Sequence, residues 1–97
     1  MTDFIFLMHN DATADFSIDL WDGYFAFLRA RAAFEGGSAI GAGTSFRKQG
    51  VPGNASDHLG GYIRVQAADL TAARALLTGN PVFESGGTVE IRELPRS

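Results

Sequence analysis

The chain has 97 residues, a net charge of −3 and no cysteine. That length suits one domain, residues 1–97, around one core, and the missing thiols exclude disulfides, thiol catalysis and thiolate metal sites together. Lys48 is the single lysine and there is no basic stripe, so nucleic acid and anionic membrane are poor partners.

Met1-Thr-Asp-Phe4 has no basic leader character, and no apolar run approaches the length of a membrane span. The expectation is a soluble, cytoplasmic protein. The first element is Phe4–Met8, apolar at every position and followed by His9. An unbroken run of this kind suggests a strand with both faces covered, hence a central one. A polar loop, Asn10 to Asp15, leads to a helix capped by Asp15 or Ser17 and lasting to about Glu35. Asp19 and Asp22 near its start and Arg29 and Arg31 near its end suit the helix dipole. Leu20, Trp21, Tyr24, Phe25, Phe27, Leu28 and Phe34 give it a wide apolar stripe. Gly36-Gly37 is the expected stop.

Ser38–Arg47 reads as the second strand, with Ile40, Ala42, Thr44 and Phe46 alternating against small residues. Gly41-Ala-Gly43 inside it is not a phosphate loop, because no third glycine and no helix follow. Lys48–His58 is a long loop rich in Gly, Pro, Asn and Ser. Leu59–Ala67 is the clearest strand: Ile63, Val65 and Ala67 share one face, Tyr62, Arg64 and Gln66 the other. Asp69 caps a helix over Leu70–Leu77, which Gly79-Asn80-Pro81 ends. Thr88–Leu94 is the last strand, with Val89 and Ile91 facing inward.

The order is β-α-β-β-α-β. Gly36-Gly-Ser38 and Gly86-Gly-Thr88 each introduce the strand after a helix, a weak echo of a duplicated plan. Right-handed crossovers then predict an α+β, ferredoxin-like βαββαβ sandwich. Its four-stranded antiparallel sheet runs in the order 4-1-3-2, with two helices on one face. The other sheet face takes either Phe4, Phe6 and Met8 or Ile5 and Leu7 from the first strand, rimmed by Tyr62, Arg64, Glu90 and Arg92. An apolar centre with a polar rim is the pattern of an interface, so a homodimer through the open sheet face is expected. RNA-recognition modules share this topology but stack bases on several exposed aromatics, whereas Tyr62 is the only aromatic in the comparable outward set of an acidic chain.

Several of these segments together resemble the YCII-related domain family, which includes the DGPF-type proteins. They are Phe4-Ile-Phe-Leu-Met8, Trp21 with Tyr24 and Leu28, Gly36-Gly37, Leu59-Gly-Gly-Tyr-Ile-Arg-Val65, Ala68-Asp-Leu70 and Gly86-Gly-Thr-Val-Glu-Ile-Arg-Glu-Leu94. The resemblance spans nearly the whole chain and implies a ferredoxin-like fold that forms dimeric α/β barrels. It also implies, for some relatives, an enzyme with a His–Asp pair whose histidine lies on the first helix. This chain has no histidine between Ser17 and Glu35, and Asn54-Ala-Ser-Asp57 stands where the DGPF segment would.

The predicted topology gathers His9-Asn10-Asp11, the start of the first helix with Trp21, the Lys48–His58 loop and the Asn80–Ser85 turn at one end of the sheet. Polar groups converging on aromatics make a small-molecule cleft. Its candidate acid–base residues are His9, Asp57 and His58, since imidazoles titrate near neutrality and a carboxylate can orient one. The bland alternative is a strand-end histidine bonded to backbone and a solvated loop pair. Trp21, Tyr24, Phe25 and Asn80 are the candidate ligand-binding residues, and the cleft wall would supply partners for the indole and the phenol. No spacing matches a metal motif, and no cofactor is implied. Two functions fit. One is a dimer that binds a small organic molecule, with acid–base chemistry of the lyase or isomerase type. The other is a non-catalytic dimeric module that regulates or scaffolds a partner.

Overall fold

The computed structural model describes residues 1–96. It contains β1 (Thr2–His9), α1 (Leu20–Ala30), β2 (Phe34–Ala39), β3 (Leu59–Ala67), α2 (Leu70–Ala75), α3 (Pro81–Glu84) and β4 (Val89–Leu94). The four strands form one antiparallel sheet in the order β2-β3-β1-β4, the same arrangement as 4-1-3-2 read from the other edge.

The core explains why the helices lie on one face. Phe4, Phe6 and Met8 point from β1 into a cluster with Ile63 and Val65 of β3, Tyr24 and Leu28 of α1, and Ala73, Leu76, Leu77 and Val82 from the later helical segments. Phe6, Leu28 and Val65 have no exposed surface. The opposite face therefore takes Ile5 and Leu7, both half-buried, not the Phe4–Phe6–Met8 set. Cross-strand register places Ile5 against Arg64 and Arg92, and Leu7 against Tyr62 and Glu90. The open face is thus an aliphatic pair beside one aromatic ring, inside a charged rim.

Several boundaries move from where the sequence put them, each for a local reason. Helix α1 begins at Leu20, after turns at Ser17–Asp19, and ends at Ala30 instead of Glu35. Its stop is Ala32, at φ 53°, not the glycine pair. The Ala33 amide donates to the Leu28 carbonyl and the Ala32 amide to that of Arg29, the bond pair of a Schellman cap. The glycine pair lies inside β2, which spans Phe34–Ala39 and not Ser38–Arg47. Phe34 pairs with Val65 and Gly37 with Ile63, so β2 carries one extra residue there. Gly36 absorbs that bulge at φ 116°, a backbone region that side chains disfavour.

Strand β2 cannot run on to Arg47 because β3 has nothing left to pair with it. The last rung is the Ile40 amide on the Gly60 carbonyl. Gly41-Ala-Gly43 consequently lies in the connection, not in a strand. Asp69 caps α2 as expected, its carboxylate accepting from the Ala72 amide at 2.8 Å. Asn80 does not merely end that helix. Its side chain accepts from the Phe83 amide at 3.1 Å and starts α3, with Pro81 in the first turn.

Candidate functional site

One end of the sandwich holds a cavity of about 510 Å³. Its floor is the sheet where β2 and β3 meet, at Gly37 and Gly61. Both positions are short of atoms by necessity. A Cβ on Gly37 would come within 2.6 Å of the Tyr62 carbonyl oxygen, and one on Gly61 within 3.2 Å of the Ser38 oxygen and Met8 Cε. Over this bare backbone stand large rings from the start of α1 and the loop before it. Trp21 stacks on Phe25 at 5.7 Å between centroids, and Phe16 meets Trp21 edge-on at 6.3 Å. Phe25 leans in turn on Phe34, at 5.1 Å. Rings braced against one another cannot sink to the glycine floor, and the gap between them is the cavity. Its volume is in the range of small-molecule sites.

The polar end of the cavity is built by His9 and Asn10, where β1 leaves the sheet. His9 lies on the open-face register, and its Nε2 is 3.1 Å from Glu90 Oε1. The bond from His9, followed by that from Arg92 at 3.0 Å, holds the Glu90 carboxyl below the usual glutamate range. An ionised carboxylate only accepts, so Nε2 is the donor of this bond, and in the neutral ring Nδ1 is the atom left as acceptor. The His58 ring stands edge-on to His9 at 4.8 Å. The Asn10 amide donates to the His58 carbonyl at 2.8 Å, which ties the end of β1 to the start of β3. Asp11 fixes the next stretch of loop. Its carboxylate accepts from the Thr88 hydroxyl at 2.6 Å and the Thr88 amide at 2.7 Å, and these bonds hold its carboxyl low.

Among the candidates read from the sequence, His9, Trp21 and Phe25 line the cavity. His58 touches His9 from outside the cavity wall. Asp57 is exposed and contributes its main-chain carbonyl to Asn10 Nδ2 at 3.5 Å. Tyr24 is buried behind the wall, where its hydroxyl donates to the Leu76 carbonyl at 2.7 Å. Burial pushes its phenol up to about 12. Asn80 is also fully buried, capping α3 with its Nδ2 3.7 Å from Met8 Sδ. Tyr24 and Asn80 thus support the wall instead of facing the space. None of residues 48–58 lines the cavity, and every one but Pro52 is exposed.

Sequence reading did not single out Phe16, the glycine floor or Glu90 as members of one site. Glu90 was the most accessible of these. Pairing β4 against β1 places it opposite Leu7, one step from His9. Among the described residues no three His, Asp or Glu side chains are grouped to hold a metal ion, and no helix is long and apolar enough to cross a membrane.

No family model matches the chain, and no curated protein matches it. Among solved structures it is similar to the 5-chloro-2-hydroxyhydroquinone dehydrochlorinase of Burkholderia phenoliruptrix AC1100, determined in complex with 2,5-dihydroxybenzoquinone. The TM-score is 0.60 at 17% identity, over 100% of this chain and 96% of that one. The two proteins share a fold. At that identity the likeness extends to the path of the backbone and not to the side chains of the site.

Proposed function

We propose that this chain binds a small planar organic molecule between the Trp21–Phe25 wall and the glycine floor, with His9 exchanging a proton with it. One observation carries the reading: the cavity is lined by the rings of Phe16, Trp21 and Phe25 and, where β1 ends, by the polar residues His9 and Asn10. A flat ring fits between stacked aromatics and bare backbone. A hydroxyl or an acidic C–H on that ring, directed to the polar end, meets a base. With Nε2 committed to Glu90, His9 Nδ1 is the atom left to take the proton, and Asn10 offers an amide donor to the oxygen that becomes negative. The dehydrochlorinase with this fold was determined with a dihydroxybenzoquinone, which supports a ligand of this class. The resemblance to YCII-related proteins supports acid–base work of the lyase or isomerase type. Here the histidine stands at the end of β1 instead of on the first helix.

We infer further that two copies meet through the open sheet face. Ile5, Leu7 and Tyr62 are half-buried there, inside a rim of Asp3, Arg64, Glu90 and Arg92. Light scattering at micromolar concentration is expected to give the dimer mass, with Leu7→Asp shifting it to the monomer.

Trp21 is the only tryptophan and stands in the cavity wall, so its fluorescence reports occupancy directly. Titration with 2,5-dihydroxybenzoquinone is expected to quench it saturably and to raise the melting temperature. If neither that compound nor a panel of hydroxylated aromatics moves the fluorescence or the melting temperature, the binding reading is wrong. A dimer that binds nothing would leave the non-catalytic module as the reading to pursue.

A further inference from the structure

We infer that the arm formed by residues 40–58 of a second copy closes the cavity, seating Phe46 and the Arg47–Lys48 pair over the start of α1. This rests on the reading of the cavity as a binding site and adds the element that shuts it.

The arm leaves the body of its own chain. Residues 41–58 are exposed except Ser45 and Pro52, which are half-buried. Its ties to the body lie at its base, where the His58 carbonyl accepts from the Asn10 amide at 2.8 Å and the Asp57 carbonyl from Asn10 Nδ2 at 3.5 Å. The tip is nevertheless shaped: Arg47 Nη1 donates to the Val51 carbonyl at 3.4 Å, around Gly50 at φ 79°. The molecule measures 47 × 38 × 19 Å with a radius of gyration of 14.8 Å, against roughly 13 Å for a compact domain of this length. The tip displays Phe46 at 90% exposure and Val51 at 85%. Two large apolar side chains so presented need a cover that their own chain does not provide.

The start of α1 is the matching surface. Ile18 is 80% exposed and Leu20 51%, and they flank the aromatic wall at Trp21. Residues 10–28 carry four aspartates, Asp11, Asp15, Asp19 and Asp22, and no lysine or arginine. The arm carries Arg47 and Lys48 at its tip, with its one carboxylate, Asp57, at its base. Apolar meets apolar and cation meets anion, and under a two-fold axis each copy supplies one arm and one seat.

The reach is sufficient. Stacked sheets lie about 10 Å apart. Half of the arm, about nine residues at roughly 3.3 Å each, spans about 30 Å. That is enough to pass the partner's sheet edge and arrive at its helix layer. Because the arm joins β2 to β3, its roots are the strand ends that form the cavity floor. A partner that grips the arm also steadies its owner's floor.

The absence of cysteine makes the test clean. Single variants F46C and I18C, carrying tags of different size, are mixed and oxidised. The expected product is the F46C–I18C heterodimer, while F46C mixed with L70C, at the other end of the molecule, stays uncoupled. An intrachain disulfide in the F46C/I18C double variant, or no F46C–I18C product, overturns the proposal. A second readout measures closure. F46D places a carboxylate against the aspartates and is expected to weaken binding of 2,5-dihydroxybenzoquinone about tenfold with unchanged circular dichroism. Equal binding by wild type and F46D overturns closure and leaves the cavity reading standing. Cross-linking with no binding by wild type does the reverse.

Discussion

In the second half of the chain, the segments after β3 press Ala73, Leu76, Leu77 and Val82 into the sheet until all four are buried. In the first half, α1 buries only Tyr24 and Leu28, and leaves Trp21, Phe25 and Phe27 half-buried. The later half fills its space with aliphatic side chains of moderate size. The earlier half sets its largest rings over two glycines of the sheet, its own Gly37 and Gly61 of β3. Side-chain size alone would favour the opposite outcome, since the half with more apolar volume is the one left hollow. Shape decides it: flat rings that brace each other span a gap, whereas leucines settle into it.

Removing a residue that both halves share should erase the contrast. Phe6 has no exposed surface and lies at the centre of the sheet. Phe6→Ala is expected to cost about 3–5 kcal/mol in urea unfolding, much of the stability of a domain this small.

Truncations confined to one half should sharpen the contrast. Leu77→Ala, in the filled half, is expected to cost about 2–5 kcal/mol and leave quinone binding, read by Trp21 fluorescence, unchanged. Trp21→Ala, in the hollow half, removes a half-buried ring and should cost only about 1–2 kcal/mol. Its binding, followed by calorimetry, should be lost. A Trp21→Ala penalty as large as that of Leu77→Ala would show the wall to be ordinary core.

A buried link between the halves is the Tyr24 hydroxyl on the Leu76 carbonyl. Tyr24→Phe leaves that buried carbonyl unpartnered and is expected to cost about 1–3 kcal/mol by thermal unfolding.

The smallest effect concerns acid. Asp11 has its folded pKa below the ordinary aspartate value through its bonds to Thr88. Its contribution is therefore complete above the unfolded pKa and is lost as pH falls through the lower folded value. Asp3 and Glu90 shift in the same direction, through Arg96 and through His9 respectively. Melting temperature should fall between about pH 5 and pH 2, and Asp11→Asn should flatten part of that slope.

What the sequence disclosed tracks how local the cause is. Strands β3 and β4 were legible because each has one covered face, and their side chains alternate accordingly. Asp69 was legible because a cap acts over three residues. In β1 the alternation exists but is masked, since Ile5 and Leu7 on the open face are as apolar as Phe6 on the covered one. Ala32 gave no warning that it would take a glycine's conformation while two glycines followed. The apparent strand through Phe46 failed for a non-local reason, the lack of any β3 residue to pair with it. The site follows the same rule. His9, Trp21 and Phe25 could be picked by type and place, but the glycine floor and the bond to Glu90 depend on strand register.

The position of β1 has a consequence for how the protein is made. It is the earliest strand in the chain, yet its two neighbours in the sheet are β3 and β4, the latest. During synthesis its run from Phe4 to Met8 leaves the ribosome with no native partner, and waits until residues beyond Leu59 have followed. Such long-range pairing slows folding and leaves an apolar segment open to misassociation in the interval. Protection by a chaperone would matter most in that window.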